Sequence, residues 1–169
     1  MKQDQIAYYC DIQQSVDYLK EILGLADEPW IKDTVTARSS VFGRPFTTNV
    51  AQLQFCYKHG SEIEILRYIS GPHWHERTTY KVPFISHVGF HLEDDEDFPD
   101  IDGKGKGTCR LVQETFTEKH TSEYLTTGEG AGRLYHYKIY QVQAGNYIKF
   151  IKRIRDNEKA WLAAQAKAA

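Results

Sequence analysis

The sequence predicts an α+β fold built from two tandem β-α-β-β-β modules and followed by a C-terminal helix. An internal repeat is the first reason: residues 63–68 match residues 148–153 at an offset of 85, and residues 4–11 match residues 87–94 at an offset of 83. The second reason is that β-rich segments follow in the same order after each copy of the earlier match. We therefore expect a single domain, residues 1–169, in which one unit occurs twice.

The first module, residues 4–68, contains the clearest helix in the chain. Its apolar residues recur at helical spacing and a glycine follows as a stop: Ile12, Val16, Leu19, Ile22, Leu23 and Gly24. The other segments of this module are rich in β-branched and aromatic residues or alternate apolar with polar residues. They predict strands at 5–10, 34–42, 50–57 and 62–68.

A linker, residues 69–84, joins the halves, and its His73-Trp74-His75 triplet is expected at the surface. The second module, residues 85–153, repeats the order with its helix reduced to a turn or two, because Pro99 interrupts the acidic segment after the first strand. Its strands are predicted at 87–92, 109–117, 133–142 and 147–153. A long loop at 119–132 and an Ala-rich C-terminal helix at 154–169 complete the prediction.

Composition excludes several classes of protein. The net charge of −2 favours neither nucleic acid nor an anionic membrane as a partner. No apolar run approaches the ~20 residues that span a bilayer, and the N-terminus lacks a signal-peptide core. Three cysteines without a Cys-x-x-Cys pair predict free thiols in a reducing compartment, so we expect a cytoplasmic protein.

Three local segments, taken with the repeat, carry a resemblance to a known family. Residues 11–25 begin with an Asp and end in Leu-Gly-Leu, residues 86–90 read Ser-His-Val-Gly-Phe, and residues 144–150 read Ala-Gly-Asn-Tyr-Ile-Lys-Phe. In this order they resemble the vicinal oxygen chelate superfamily, which includes glyoxalase I, bleomycin-resistance proteins and extradiol dioxygenases. The resemblance spans about residues 4 to 153, and it implies a fold that hosts many different chemistries.

The resemblance implies that each module curls into a half-barrel, so that two modules form a curled mixed sheet around one concave pocket. It also implies a homodimer, and four ligand positions on the first and last strands of the modules. In this chain those positions are Asp4 (or Gln5 after a one-residue slip), Glu64, His87 and Lys149. An extradiol dioxygenase would have a glutamate at the last of them.

Strand alternation predicts which side chains face the pocket, because residues two apart share a face. The expected concave set is polar: Asp4, Tyr8, Glu62, Glu64, His87, His91, Tyr147 and Lys149. Within this set we assign His87, Glu64 and Lys149 as catalytic candidates. Tyr8, Glu62, His91 and Tyr147 are the candidates for ligand binding.

A divalent metal is the open question at this pocket. Glu64, His87 and Asp4 are suitable ligand types for Zn²⁺, Ni²⁺, Fe²⁺ or Mn²⁺. Lys149 argues against a metal, because a protonated amine at a ligand position repels a divalent cation.

Three functions follow from these residues. The first is a small-molecule-binding, glyoxalase-like protein with a degenerate or absent metal site. The alternative is a metal-dependent lyase, isomerase or transferase of the glyoxalase I type that uses Glu64 and His87 as metal ligands. The third is a metal-free enzyme in which His87, Glu64 and Lys149 act as acid–base groups. Each has a small molecule as its partner.

Overall fold

The computed structural model of the chain describes residues 1–58, 60–74, 84–93, 95–118, 134–143 and 145–154, together with Ala160 and Ala163. Each predicted strand, and the first-module helix, is present, and each strand begins within three residues of its predicted start. In chain order the elements are β1 Lys2–Tyr9, α1 Gln13–Ile22, β2 Ile31–Val41, β3 Thr47–Lys58, β4 Ser61–Ser70, β5 Phe84–His91, β6 Arg110–Glu118, β7 Leu134–Gln143 and β8 Asn146–Arg153.

The eight strands form a closed barrel in the order β1-β4-β3-β2-β6-β7-β8-β5, and β5 returns to β1. The pairs β1/β4 and β5/β8 are parallel and the other pairs are antiparallel, which confirms a mixed sheet. The sheet does more than curl: residues 38–41 of β2 pair with residues 113–116 of β6 and close the ring. Closure gives every strand a neighbour on each side, although only residues 38–41 of β2 pair with β6.

The outer faces of the two halves are covered differently. Helix α1 places Val16 and Leu19 against Cys10 and Ile65 on the outside of the first half. Its exposed side carries Ile22, so that residue does not join the core as its spacing predicted. On the second half, no helix is described between β5 and β6, and Phe98 and Ile101 of the connecting segment pack on the strands instead, against a cluster of Leu92, Cys109, Tyr140 and Phe150.

The start of the linker lies inside one end of the barrel, and this corrects the expected surface position of His73 and Trp74. Trp74 is buried against Val41, Val112 and Ile139, which come from β2, β6 and β7. The His73 ring stacks on Tyr68 with centroids 4.5 Å apart. The burial of Trp74 could not be predicted from the sequence, because the linker has no periodic pattern. Its burial depends on contacts with residues of β2, β6 and β7, which are distant in the chain.

Several predictions fall on residues that the structure does not describe. The loop at 119–132, His75 and most of the linker are outside the described residues. Ala160 and Ala163 have helical backbone, and the rest of the predicted C-terminal helix is not described. In the parts of the chain that are described, no helix combines the length and apolarity needed to cross a membrane. Cys10, Cys56 and Cys109 are thiols that form no disulfide, in agreement with the prediction, and all three are buried, which the sequence did not predict.

Candidate functional site

The barrel encloses a cavity of about 60 Å³, room for a few water molecules or for a ligand of a few heavy atoms. Its walls differ in chemistry. One wall is polar and comes from β1, β4, β5 and β8, with Gln5, Glu62, Glu64, His87, His91 and Lys149. The facing wall on β2 and β3 is mostly apolar, with Val35, Ala37, Ala51 and Leu53, and β7 adds Tyr135, Tyr137 and Ile139.

The strand register shows which residues of the two halves correspond. Ala7 pairs with Glu64 across β1/β4, and Gly89 pairs with Lys149 across β5/β8. Since Glu64 and Lys149 are equivalent, Ala7 matches Gly89, and Gln5 matches His87 at a separation of 82 residues. The octapeptide match, which aligned Asp4 with His87, was therefore wrong by one residue, and the slipped alternative, Gln5, is the inward position.

The Gln5 side-chain amide lies at the centre of the polar wall. Its Nε2 donates to Glu62 Oε2 at 2.7 Å and to Glu64 Oε2 at 3.0 Å. Its Oε1 lies 3.2 Å from His87 Nε2. A flipped amide would turn its oxygen toward two carboxylates, so the network assigns this orientation, and it requires the imidazole proton on Nε2 of His87.

The network on the other side of the imidazole completes this arrangement. Nδ1 of His87 lies 3.0 Å from the hydroxyl of Ser86, which can donate to it. Ser86, His87, Gln5, Glu62 and Glu64 are all buried. A buried polar chain of this kind is stable only when its members satisfy one another, so these five side chains behave as one unit.

Gly89 makes room for this network. A methyl group at Gly89 would lie 2.6 Å from Gln5 Oε1 and 2.8 Å from Gln5 Cβ, both inside normal contact distance. Gly89 pairs directly with Gln5 across β1/β5. A glycine inside a strand marks a close approach of another group, and here that group is the Gln5 side chain.

Burial dominates the electrostatics of Glu64. Desolvation raises the pKa of Glu64 to about 7, the positive charge of Lys149 opposes that rise, and the negative charge of Glu62 adds to it. Lys149 is itself buried, and its Nζ lies 4.8 Å from the ring centroid of Tyr137. The carboxyl group therefore changes charge near neutral pH inside the barrel.

Tyrosine hydroxyls form a second polar region beside the cavity. Burial raises the pKa of Tyr137 to about 12 and that of Tyr68 well above its ordinary value. Gln113 Nε2 donates to Tyr68 Oη at 3.3 Å and to Thr115 Oγ1 at 2.9 Å. Both phenols keep their protons at neutral pH and remain available as hydrogen-bond donors or acceptors.

Three predicted site residues lie elsewhere than expected. The prediction that Tyr8 faces the pocket is wrong, because Tyr8 packs outside the barrel with Val16 and Leu19 of α1. Tyr147 stacks on Trp74 with ring centroids 3.8 Å apart and packs against the apolar cluster around Trp74, and it is not among the residues that line the cavity. Asp4 lies at a β-bulge in β1 and bonds His91 Nδ1.

The inward positions of Glu62, Glu64, His87, His91 and Lys149 agree with strand alternation. Their roles in binding or catalysis stay predictions. Tyr68, Tyr135 and Tyr137 also line the cavity, and the sequence reading did not select them. Alternation within β4 was the available signal for Tyr68, since it continues the face of Glu62, Glu64 and Leu66.

The residues at the four ligand positions that the resemblance implies do not fit a divalent metal. They are an amide, a carboxylate, an imidazole and an ammonium group, and the amide already bonds to both the carboxylate and the imidazole. Asp4, the third proposed ligand, bonds to His91. Across the described parts of the chain, no group of three or more His, Cys, Asp or Glu side chains could hold a metal ion.

Comparison with known proteins adds little to this geometry. No family model matches the chain, and no curated protein matches it. One solved structure that matches the chain is described as a "xylose isomerase-like TIM barrel/4-hydroxyphenylpyruvate dioxygenase fusion protein", with 14% identity and a TM-score of 0.37. The match covers 99% of this chain and 30% of that one, and at this similarity it carries no argument about function. The closed barrel of two four-stranded halves is compatible with a vicinal oxygen chelate-type domain.

Proposed function

We propose that the barrel interior is a metal-free binding site for a small molecule, in a glyoxalase-like protein whose metal site is degenerate. The observation that carries this proposal is the Gln5 amide, which lies between Glu64 and His87 and bonds to both. A metal ion at this position would have to displace those bonds and would face the ammonium group of Lys149. Both effects oppose binding, because a buried divalent cation needs anionic or neutral donors free to ligate it.

The chemistry of the two cavity walls is suited to a small amphipathic ligand. Polar groups on β1, β4, β5 and β8 would orient one end of it, and the apolar side chains of β2 and β3 would cover the other. This division is typical of small-molecule sites, which combine an apolar lining with a few placed polar groups. The cavity volume of about 60 Å³ limits the buried part of the ligand to a few heavy atoms.

A metal-free acid–base enzyme is a second candidate, and one observation favours it. Burial raises the pKa of Glu64 to about 7 and so places its proton exchange at neutral pH, where general acid–base groups work best. Under this candidate Glu64 would exchange the proton with the ligand. His87 and Lys149 would orient the ligand and balance its charge. Catalysis by these three residues, the homodimer and the cytoplasmic location remain predictions.

Calorimetric titration with Zn²⁺ and Ni²⁺ tests the metal-free site. We expect no stoichiometric uptake by the natural chain, and uptake by the double variant Gln5→His/Lys149→Glu, which supplies His, Glu, His and Glu at the four positions. Lys32→Glu, an exposed residue with the same charge change, is the matched control and should bind no metal. One equivalent of metal bound by the natural chain would contradict the proposal and support the metal-dependent lyase instead.

A further inference from the structure

We propose a second binding site, on the outside of the barrel, for a small organic molecule that carries a carboxylate or phosphate group. The site is a groove of about 460 Å³ on the outer face of the first half. It goes beyond the interior site and does not depend on the function proposed there.

The groove lies between the start of α1 and the strands β2, β3 and β4. Gln13 and Val16 of the helix line it on one side. The strands contribute three consecutive residues each, at 32–34, 52–54 and 65–67, and the strand register places these three segments side by side. The volume of the groove is in the range of natural small-molecule sites.

Alternation shows which side chains of these segments face outward. Leu53 and Leu66 also line the interior cavity, and Asp33 pairs with Leu53, so the middle residue of each segment faces inward. The carboxylate of Asp33 accepts the backbone N–H of Thr34 at 2.9 Å. The flanking residues therefore form the outer face: Lys32, Thr34, Gln52, Gln54, Ile65 and Arg67.

The cations of the groove have no acidic partner. Lys32 and Arg67 line it, and Lys20 is joined to it through Gln54, whose Oε1 accepts a bond from Lys20 Nζ at 2.6 Å. Among the residues that the structure describes, none of these three cations forms an ion pair with a carboxylate. Lys20 is buried, and its pKa is lowered first by that burial and then by the positive charge of Lys32. A bound anion would offset this repulsion.

The hydrogen bonds of the groove leave donors for a ligand. Gln52 Oε1 accepts from Arg67 Nε at 2.7 Å, and Gln54 Oε1 accepts from Lys20. Because both amide oxygens bond to cations, the network assigns their orientation and leaves the two Nε2 groups as donors. Arg67 uses only Nε in its bond, so its two terminal nitrogens can donate side by side to the oxygens of a carboxylate or phosphate.

Asp11 is the other acid that lines the groove, and its charge also acts on a residue of the barrel end. Burial lowers the pKa of His73, and the negative charge of Asp11 opposes this effect. With Asp33 on the inward face, Asp11 is the acid that remains against Lys32 and Arg67. The groove therefore has a positive balance of charge and favours an anion.

The apolar residues of the groove suit a ligand with a hydrocarbon part. Val16 and Ile65 line it beside the polar groups. Phenyl phosphate and benzoate combine an aromatic ring with the two kinds of oxyanion. Benzyl alcohol and benzylammonium are probes of similar size that are neutral and positive.

Titration of the full chain with these four probes, followed by ¹H–¹⁵N NMR, tests the proposal. We expect saturable shifts at the amides of Thr34, Gln52 and Arg67 with phenyl phosphate or benzoate, and the tighter of the two identifies the oxyanion. Benzyl alcohol and benzylammonium should bind at least about tenfold more weakly. Arg67→Gln should weaken the anion by about tenfold or more, as expected for the loss of a charged hydrogen bond.

Arg110→Gln is the matched control. Arg110 Nε donates to Gln141 Oε1 at 2.9 Å in the second half, as Arg67 donates to Gln52 in the first, and Arg110 does not line the groove. This variant should leave the affinity for the anion unchanged. Equal weakening by Arg67→Gln and Arg110→Gln would overturn the proposal, because it would indicate a general attraction of anions to surface charge.

The remaining outcomes separate the groove from the interior site. Binding of benzylammonium or benzyl alcohol as tight as that of the anions would overturn the proposal, and so would the absence of saturable shifts at the groove. Shifts confined to the amides of Glu64, His87 and Lys149 would also overturn it, while the interior binding site would stand. The selectivity of the natural chain decides between these results even if a variant fails to fold.

Discussion

The two halves of the barrel share a framework but differ at the cavity. Apolar positions correspond, as in Ile63 and Ile148, and the strand pairings of one half recur in the other. Among the described residues at the cavity, the first half contributes two amides and two carboxyl groups, and the second half contributes two imidazoles and an ammonium group. The comparison teaches that packing constrains the framework in both halves alike, while the cavity positions can diverge as long as their charges and hydrogen bonds complement each other.

A second difference concerns the small residues beneath the polar wall. Ala7 in β1 and Gly89 in β5 hold equivalent places, between the parallel partner strand and the opposite half. The Gln5 side chain crosses over Gly89 and reaches His87, so one methyl group distinguishes the two positions. The asymmetry of the site therefore depends on packing as well as on charge.

The largest expected effect is on the pH dependence of stability when Glu64, a carboxyl group of the first half, is replaced. Glu64 ionises near pH 4.5 in the unfolded chain and near pH 7 in the fold, so within that window the folded protein holds a proton that the unfolded chain has lost. The unfolding free energy should fall by roughly 3 kcal/mol as pH rises through the window, because each pKa unit corresponds to about 1.4 kcal/mol. Glu64→Gln should flatten this decline in urea unfolding measured from pH 4 to pH 8.

Glu114→Gln is the control, because the pKa of Glu114 is shifted in the opposite direction to that of Glu64. Burial raises the pKa of Glu114, but the hydrogen bond from His136 and the charges of His136 and Lys138 outweigh it and lower the pKa below its ordinary value. Glu114 therefore contributes stability above its ordinary pKa, and that stability is lost as pH falls. Parallel pH profiles for Glu64→Gln and the natural chain would contradict the assignment to Glu64.

Filling the space beneath Gln5 should have the next largest effect. Gly89→Ala places a methyl group 2.8 Å from Gln5 Cβ, which should cost about 1–3 kcal/mol of unfolding free energy, as overpacking does. In Gln5→Gly/Gly89→Ala the clash is gone, because glycine lacks Cβ and the atoms beyond it, so the double variant should be more stable than the sum of the single effects indicates. A double-mutant cycle by urea unfolding measures this coupling, and strict additivity would show that the two side chains do not interact.

The smallest expected effect is a shift in the pKa of Glu64 when one of its charged neighbours is replaced. The positive charge of Lys149 lowers the pKa of Glu64 and the negative charge of Glu62 raises it, the former more strongly. Lys149→Met should therefore raise this pKa, and Glu62→Gln should lower it by a smaller amount. Carboxyl ¹³C NMR titration measures both shifts, with Lys32→Met as an exposed control. Shifts of the same sign in the two variants would show that Lys149 and Glu62 do not have opposite effects on the pKa of Glu64.

Much of this site was predictable from β4, β5 and β8, and β1 shows why the rest was not. Alternation was unambiguous in β4, where Glu62 and Glu64 differ clearly from Ile63 and Ile65. In β1 both faces carry apolar residues, because Ala7 and Tyr9 share the inward face with Gln5, and Tyr8 packs under α1 on the other face. Alternation then offers little contrast between the faces, and the β-bulge at Asp4 shifts the register that the repeat had suggested.

By itself, the sequence determined the order of elements, the internal repeat and the acid–base mismatch between Glu64 and Lys149. These depend on local periodicity, on glycine stops such as Gly24, and on residue identity. Only the tertiary structure decided the closure of β2 on β6, the burial of Trp74 and the bond between Gln5 and His87 across 82 residues. The physical reason is that each of these depends on which distant groups meet in the folded barrel, and no local pattern records that meeting.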